Sequence, residues 1–186
     1  MKVLITGTSQ GIGKAIANKF LEACIDNIVY GIDVQTATIK HERYHHFIAD
    51  VSKKTQLPDF DFNFEIIINN AGIQNGGTGQ YPIMDDIDVN LRGTIYVTEK
   101  YAFQPQIKSV LNIGSASGHT GAEFPEYSAS KGGVFDSILE KNLNNPNTEL
   151  TFKPSPSIKK DNAFLNYISA RKIERKMDKF SCFWQY

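Results

Sequence analysis

Two side chains four residues apart, Tyr127 and Lys131 in the run Tyr127-Ser128-Ala129-Ser130-Lys131, are of the types that move protons. On a helix that spacing sets both on one face, one turn apart. A free phenol has a pKa of about 10, too high for a good base near neutrality. A neighbouring ammonium favours the phenolate and is expected to lower that value. Tyr127 could then exchange a proton with a hydroxyl or carbonyl oxygen. Ser115, twelve residues upstream, could hydrogen-bond the same oxygen and fix it. A Tyr and a Lys at this spacing also suit any amphipathic helix; the serine behind a strand end is what turns the pair toward chemistry.

A second group of residues suits an anion. Thr6-Gly7-Thr8-Ser9-Gln10-Gly11-Ile12-Gly13 joins an apolar run to a helical stretch. Glycine lets the backbone turn sharply and approach a diphosphate without a Cβ in the way. The free N–H groups at the helix start, with the positive end of its dipole, can then hold the phosphates. The spacing is G-x-x-x-G-x-G, and a plain turn with glycines that pack a helix would read the same way. Asp33 ends the next apolar run, twenty residues after Gly13. There a carboxylate can accept both ribose hydroxyls of an adenosine and repel a ribose phosphate. No Lys or Arg follows it before Lys40, and Gln10 adds no positive charge to the turn, so NAD is expected rather than NADP. A solvated loop Asp is the plainer alternative.

These residues need elements to carry them. Strands are expected at residues 2–6, 28–32, 46–49, 65–68 and 108–113, with a sixth at 149–152. Helices are expected over 11–23 and 84–101, each with an apolar stripe, and over about 127–143. Short β-branched runs alternating with helices predict an α/β fold: a doubly wound parallel sheet in three layers, α/β/α, with right-handed crossovers. Residues 74–81 (QNGGTGQY) read as a loop, because three glycines in four residues oppose regular structure. Residues 153–160 form another break, followed by a basic helical stretch at 161–179 and the aromatic tail FSCFWQY. The chain is expected as a single domain over 1–186, with 153–186 as a divergent tail.

Taken in order, these motifs resemble the short-chain dehydrogenase/reductase family in its single-domain, Rossmann-type form. TGTSQGIG fits the family's glycine turn. Asp50-Val51 follows the third strand, where the family places an Asp beside the adenine. Asn69-Asn70-Ala71-Gly72 follows the fourth strand, Asn90 sits in DVNLRG, Ser115 in NIGSASG after the fifth strand, and Tyr127 and Lys131 make Y-x-x-x-K. One such motif is weak; six in order are strong. The match covers about residues 1–135. The resemblance implies catalytic roles for Asn90, Ser115, Tyr127 and Lys131. It implies cofactor contacts from Gly7, Ser9, Gln10, Gly11, Ile12, Gly13, Asp33, Asp50, Val51, Asn70, Ala71, Gly72, Tyr127 and Lys131. Lys131 would also bind the nicotinamide ribose, and Asn90 would hold a water linking Lys131 to solvent. Asn69 and Asn70 also suit structural ties between strand ends. The implied activity is hydride transfer between NAD(H) and a secondary alcohol or ketone, with a 3-oxoacyl reductase among the candidates. A homodimer or homotetramer is implied, paired through the helices after the fourth and fifth strands, with Tyr96, Val97, Tyr101, Phe103, Val134, Phe135, Ile138 and Leu139 as the apolar surface.

Three features depart from the family. The span from Gly72 to Asn90 is short, with the glycine-rich loop in place of a helix. The sixth strand is followed by Pro154 and Pro156 but not by the family's Pro-Gly pair, and residues 155–186 match no family element. They support an alternative: a non-catalytic NAD-binding or regulatory protein with an incomplete substrate region. A pure interaction module is a third reading, although the catalytic side chains would then serve no folding purpose. Twenty basic residues balance twenty acidic ones, which leaves no electrostatic footprint for nucleic acid or an anionic membrane. No apolar run approaches the roughly 18 residues of a membrane span, and the N-terminal run is too short for a signal-peptide core; a cytoplasmic location is expected. Cys24 and Cys182 lack metal-ligand spacing and read as reduced thiols. His41, His45 and His46 read as surface residues rather than a metal site, and His119 as a solvated loop residue, with contact to a substrate as the alternative.

Overall fold

The structure, a computed structural model, describes residues 1–75, 82, 84–142 and 149–155, without the side chains of 135–142 and 149–155. Six parallel strands form one sheet: β1 (Lys2–Thr6), β2 (Ile28–Asp33), β3 (Tyr44–Ile48), β4 (Ile66–Asn69), β5 (Ser109–Ser115) and β6 (Glu149–Ser155), in the order β3-β2-β1-β4-β5-β6. The order reverses at β1, so the chain leaves β1 and β4 toward opposite flanks. The crevice at such a reversal, beyond the strands' carboxyl ends, is where doubly wound folds take ligands.

β1 is apolar on both faces because both are covered. Val3 and Ile5 point to one side, where Ile16, Ala17 and Leu21 of helix α1 (Gly11–Ala23) close over them. Leu4 points to the other and joins Ile67, Val110, and Val97 and Tyr101 of helix α2 (Thr94–Tyr101). Phe64, fully buried, packs edge-on against Tyr30, Phe60, Phe62 and Tyr101, with ring centroids 4.9–5.8 Å apart. Full burial of one such ring contributes about 1.5–3 kcal/mol. The remaining helices are the short α3 (Ser117–Thr120) and α4 (Pro125–Asn142).

The expected architecture is present, and the differences have local causes. β3 begins at Tyr44, two residues early, since Tyr44 pairs beside Val29 of β2. β6 runs on to Ser155, in register with Ser115 of β5. Pro154 lies in a strand at the sheet's edge among the described residues, a place proline tolerates. The helix expected over 84–101 is two pieces, a π-helical stretch at Ile87–Gly93 leading into α2. Apolar spacing alone does not distinguish the two windings. Of the residues expected to form a pairing surface, Val97, Tyr101 and Val134 are buried in the chain's own interior, while Phe103 is 55% exposed. The glycine-rich loop from residue 76, the basic stretch at 161–179, Cys182 and the aromatic tail lie outside the described residues. Among those described, no helix is long and apolar enough to cross a membrane.

Candidate active site

The carboxyl ends of β1 and β4 are tied side by side before any ligand is considered. The Thr6 hydroxyl oxygen accepts from the Asn70 and Ala71 N–H groups, each at 3.0 Å. Asn70 Nδ2 donates back to the carbonyls of Thr6 (3.0 Å) and Gly7 (3.1 Å). The glycine turn is thereby fixed to the strand that leads to Gly72. A Cβ on Gly13 would overlap the Gly7 carbonyl oxygen and stand 2.8 Å from its carbon, so α1 starts in backbone contact with the turn. Gln10 and Gly11 face solvent. The first turn of α1 has no side-chain cap and no acidic residue, which leaves its N–H groups and dipole available to an anion. That arrangement fits a dinucleotide's diphosphate.

Asp33 stands beside this turn. Its carboxylate accepts from the Ser9 N–H at 2.8 Å and the Gln35 N–H at 2.9 Å, which ties it to the turn. Ser9 is buried and its hydroxyl donates to the Gln35 carbonyl, so this side chain braces the turn. Asp50 holds the N–H and hydroxyl of Ser52 at 2.9 and 2.7 Å. Val51 is buried in the core, its side chain against Gly93 of the π-helical stretch. Ile12 is half-buried against the core on the α1 face.

Ser115, at the end of β5, is buried and its hydroxyl bonds that of Ser117 at 3.1 Å. α4 brings Tyr127 and Lys131 up to it. Gly118 of α3 allows this approach: a Cβ there would meet the backbone of Lys131 and Gly132 at 2.7–2.9 Å. Lys131 Nζ lies 5.7 Å from the Tyr127 ring centroid and donates to the Ile113 carbonyl at 3.2 Å. The fourth residue, Asn90, is buried in the π-helical stretch, a winding that often marks functional sites. Its Oδ1 accepts from the Ile73 N–H and its Nδ2 donates to the Ile73 carbonyl, each at 2.8 Å. The same Nδ2 donates to the Ser130 hydroxyl at 3.0 Å, and Ser130 donates to the Tyr127 carbonyl at 2.7 Å. The Asn90 side chain is thus committed to protein partners, joining the strand end at Ile73 to α4. All four expected residues meet at the carboxyl ends of β4 and β5, across the crevice from the glycine turn.

One electrostatic expectation, a Tyr127 phenol made acidic by the Lys131 ammonium with the added charge of an oxidised nicotinamide, is not met by the protein's own groups. Burial pushes the Tyr127 phenol above its usual value; the Ser115 hydroxyl bond opposes this, while Glu123 and Asp86 add to it. Lys131 does not offset these influences. Its own charge is penalised by burial, which lowers it to about 8 although Asp86 supports the ammonium. Without a further positive charge, the site holds its phenol proton.

Spacing alone missed several contributors. Asp86, fully buried, accepts from the Asn75 N–H at 3.2–3.3 Å. Ser130 and Thr6 act through bonds to distant segments; each lies inside a quoted run, Y-x-x-x-K and TGTSQGIG, but neither run indicates its partner. The histidines are better partnered than expected. His46 bridges the Tyr44 hydroxyl (2.7 Å) and the Gln35 carbonyl (2.8 Å), and Tyr44 in turn meets the Thr8 hydroxyl at 2.7 Å. His45 stacks on Tyr30, His41 Nδ1 accepts from the Arg43 N–H, and His119 is exposed in α3. Asn69, expected as structural, donates to Asn112 Oδ1 at 2.6 Å between β4 and β5.

Comparison with known proteins shows the family and the fold. The family model described as short chain dehydrogenase matches residues 1–143. The chain is similar to an uncharacterized oxidoreductase of Schizosaccharomyces pombe, 32% identical over 71% of this chain and 56% of that protein. It is also similar to the 3-oxoacyl-[acyl-carrier-protein] reductase FabG of Chlamydia trachomatis, 30% identical over 77% of this chain and 68% of the relative. The chain therefore spans less than two thirds of the first of these relatives. A short-chain dehydrogenase from Streptomyces avermitilis has the same fold, with a TM-score of 0.70 at 23% identity over 88% of this chain and 67% of that one.

Proposed function

The chain belongs to the short-chain dehydrogenase family, and from that premise we propose that it reduces ketones and oxidises secondary alcohols with NAD(H), using Tyr127 as the group that gives and takes the proton. The observation that carries this reading is the meeting of Ser115, Tyr127 and Lys131 at the strand ends, facing an uncapped helix N-terminus.

Bound NAD(H) would supply or accept the hydride. The glycine turn, with Gly7, Gln10, Gly11, Ile12 and Gly13, would hold the diphosphate. Asp33 would accept the two adenosine-ribose hydroxyls and disfavour a phosphate there, which supports NAD over NADP. Asp50 and the Val51 backbone would border the adenine, and Asn70, Ala71 and Gly72 would line the path toward Lys131. Ser115 would orient the substrate oxygen. Tyr127 would donate its proton to a carbonyl oxygen as the hydride arrives in reduction and take it back from the hydroxyl in oxidation. Lys131 would contact the nicotinamide ribose and supply positive charge beside the phenol. The FabG relative makes a 3-oxoacyl thioester the first substrate to try, and the location proposed is the cytoplasm.

NADH consumption over a panel of 3-oxoacyl thioesters, cyclic ketones and sugar ketones tests the reading, with NADPH in parallel. Tyr127→Phe should lower turnover at least about a hundredfold and leave NADH affinity unchanged. Turnover equal to the parent's overturns the mechanism. NADH binding without turnover on any substrate points instead to the non-catalytic reading.

A further inference from the structure

Asp86 is fully buried, yet the proton-transfer scheme does not use it. It precedes Asn90 by four residues, so the two side chains leave one face of the helix. Three consecutive residues after β4 are each held by a different side chain. Ile73 bonds Asn90, Gln74 Nε2 donates to Glu123 at 2.8 Å, and the Asn75 N–H donates to both Asp86 oxygens at 3.2–3.3 Å. Immediately upstream, a Cβ on Gly72 would stand 3.0 Å from Asn90 Oδ1 and 3.3 Å from Lys131 Nζ. Asp86 and Lys131 thus border the same short segment from two elements.

A buried carboxylate is costly unless it is paired. Among the described residues, the charged and titratable groups around Asp86 are Asp85 beside it and Glu126, Tyr127 and Lys131 on α4. Burial disfavours its charge, and Glu126 and Asp85 add to that; the Asn75 N–H and Lys131 oppose it. Lys131 is the cation in this set, and it is itself buried. We propose that Asp86 is a positioning residue of the site: its carboxylate anchors the segment beside Gly72 and, as counter-charge to the buried Lys131 ammonium on the far side of that segment, holds the lysine in its charged form. This rests on the oxidoreductase reading for its purpose but not for its electrostatics.

The test uses the full chain and the Asp86→Asn variant, which can still accept the Asn75 N–H but carries no charge. The Lys131 13Cε resonance, identified by its loss in Lys131→Arg, is followed against pH. The Asn variant should titrate lower by about one pH unit, and Asp86→Glu should restore most of the difference. If ketone reduction is found, the alkaline limb of its pH profile should move down in the Asn variant and return in the Glu variant; a purely structural role would lower the rate at every pH without moving the limb. An unshifted Lys131 midpoint overturns the inference. So does an Asp86 13Cγ resonance that reports a neutral carboxyl at pH 7 in the parent. If the Asn variant does not fold, the parent decides: the Asp86 signal must move as Lys131 titrates, and a silent Asp86 overturns the inference. A shifted midpoint in a chain that turns over nothing removes the proposed function and keeps the role of Asp86; ketone turnover with an unshifted midpoint does the reverse.

Discussion

Gly13→Ala tests the geometry on which cofactor binding depends. The new Cβ would overlap the Gly7 carbonyl oxygen and approach its carbon to 2.8 Å, where ordinary carbon contacts are about 3.5–4.0 Å. No rotamer can relieve this, because the obstacle is backbone. The turn cannot easily retreat: the Gly7 N–H is bonded to Ile32 at 2.8 Å and the Gly7 carbonyl to Asn70 at 3.1 Å. The start of α1 must therefore move by about 1 Å. Overpacking of this kind costs about 1–3 kcal/mol, and at about 2–4 °C per kcal/mol for a chain of this size the unfolding midpoint should fall by several degrees. The displaced N–H groups should also lose the diphosphate, weakening NADH by tenfold or more, or about 1.4 kcal/mol. Gly11→Ala is the control. Nothing lies within 4 Å of its Cβ position, but φ is 55°, so its stability should fall only by the left-handed backbone penalty of about 1–2 kcal/mol, and that of Gly11→Asn by less; because Gly11 itself belongs to the proposed diphosphate turn, it is a control for stability and not for NADH affinity. Thermal unfolding by circular dichroism and fluorescence titration with NADH give both quantities. A Gly13→Ala protein with the parent's midpoint and the parent's NADH affinity would refute the argument.

Three further outcomes are expected. Between pH 8 and 10.5 the folded chain has released the Lys131 proton while the unfolded chain still holds it, so this residue makes stability rise with pH across that window, by up to about 3 kcal/mol; denaturant unfolding at pH 7.5 and 10 should lose this component in Lys131→Met. Asn90→Ala removes two hydrogen bonds to the half-buried Ile73 backbone, at about 0.5–1.5 kcal/mol each, and chemical denaturation should show that loss. Phe64→Ala removes the centre of the aromatic cluster and should cost about 3–5 kcal/mol, while a fraction that remains folded keeps its NADH affinity.

The architecture was legible because its signals are local. Val3, Leu4 and Ile5 in a row state that a strand is covered on both sides, and Gly11 and Gly13 mark a turn running into a helix. Tyr127, Ser115, Asn90 and Lys131 could be named because residue type and order carry them. Their partners could not. Thr6 meets Asn70 across 64 positions and Asn90 meets Ser130 across 40, and no local pattern encodes such pairs. The π-helical winding at Ile87–Gly93 escaped for a related reason: its apolar spacing differs little from that of an α-helix.

Order along the chain thus named the candidate residues and the elements on which they ride. Burial and charge at the meeting point were decided only by the folded protein. Spacing predicts that an ammonium one turn away acidifies the Tyr127 phenol. In the fold both groups are withdrawn from water, and Glu123 and Asp86 face the phenol. Desolvation acts on every atom of the surroundings at once, and sequence distance contains no measure of it.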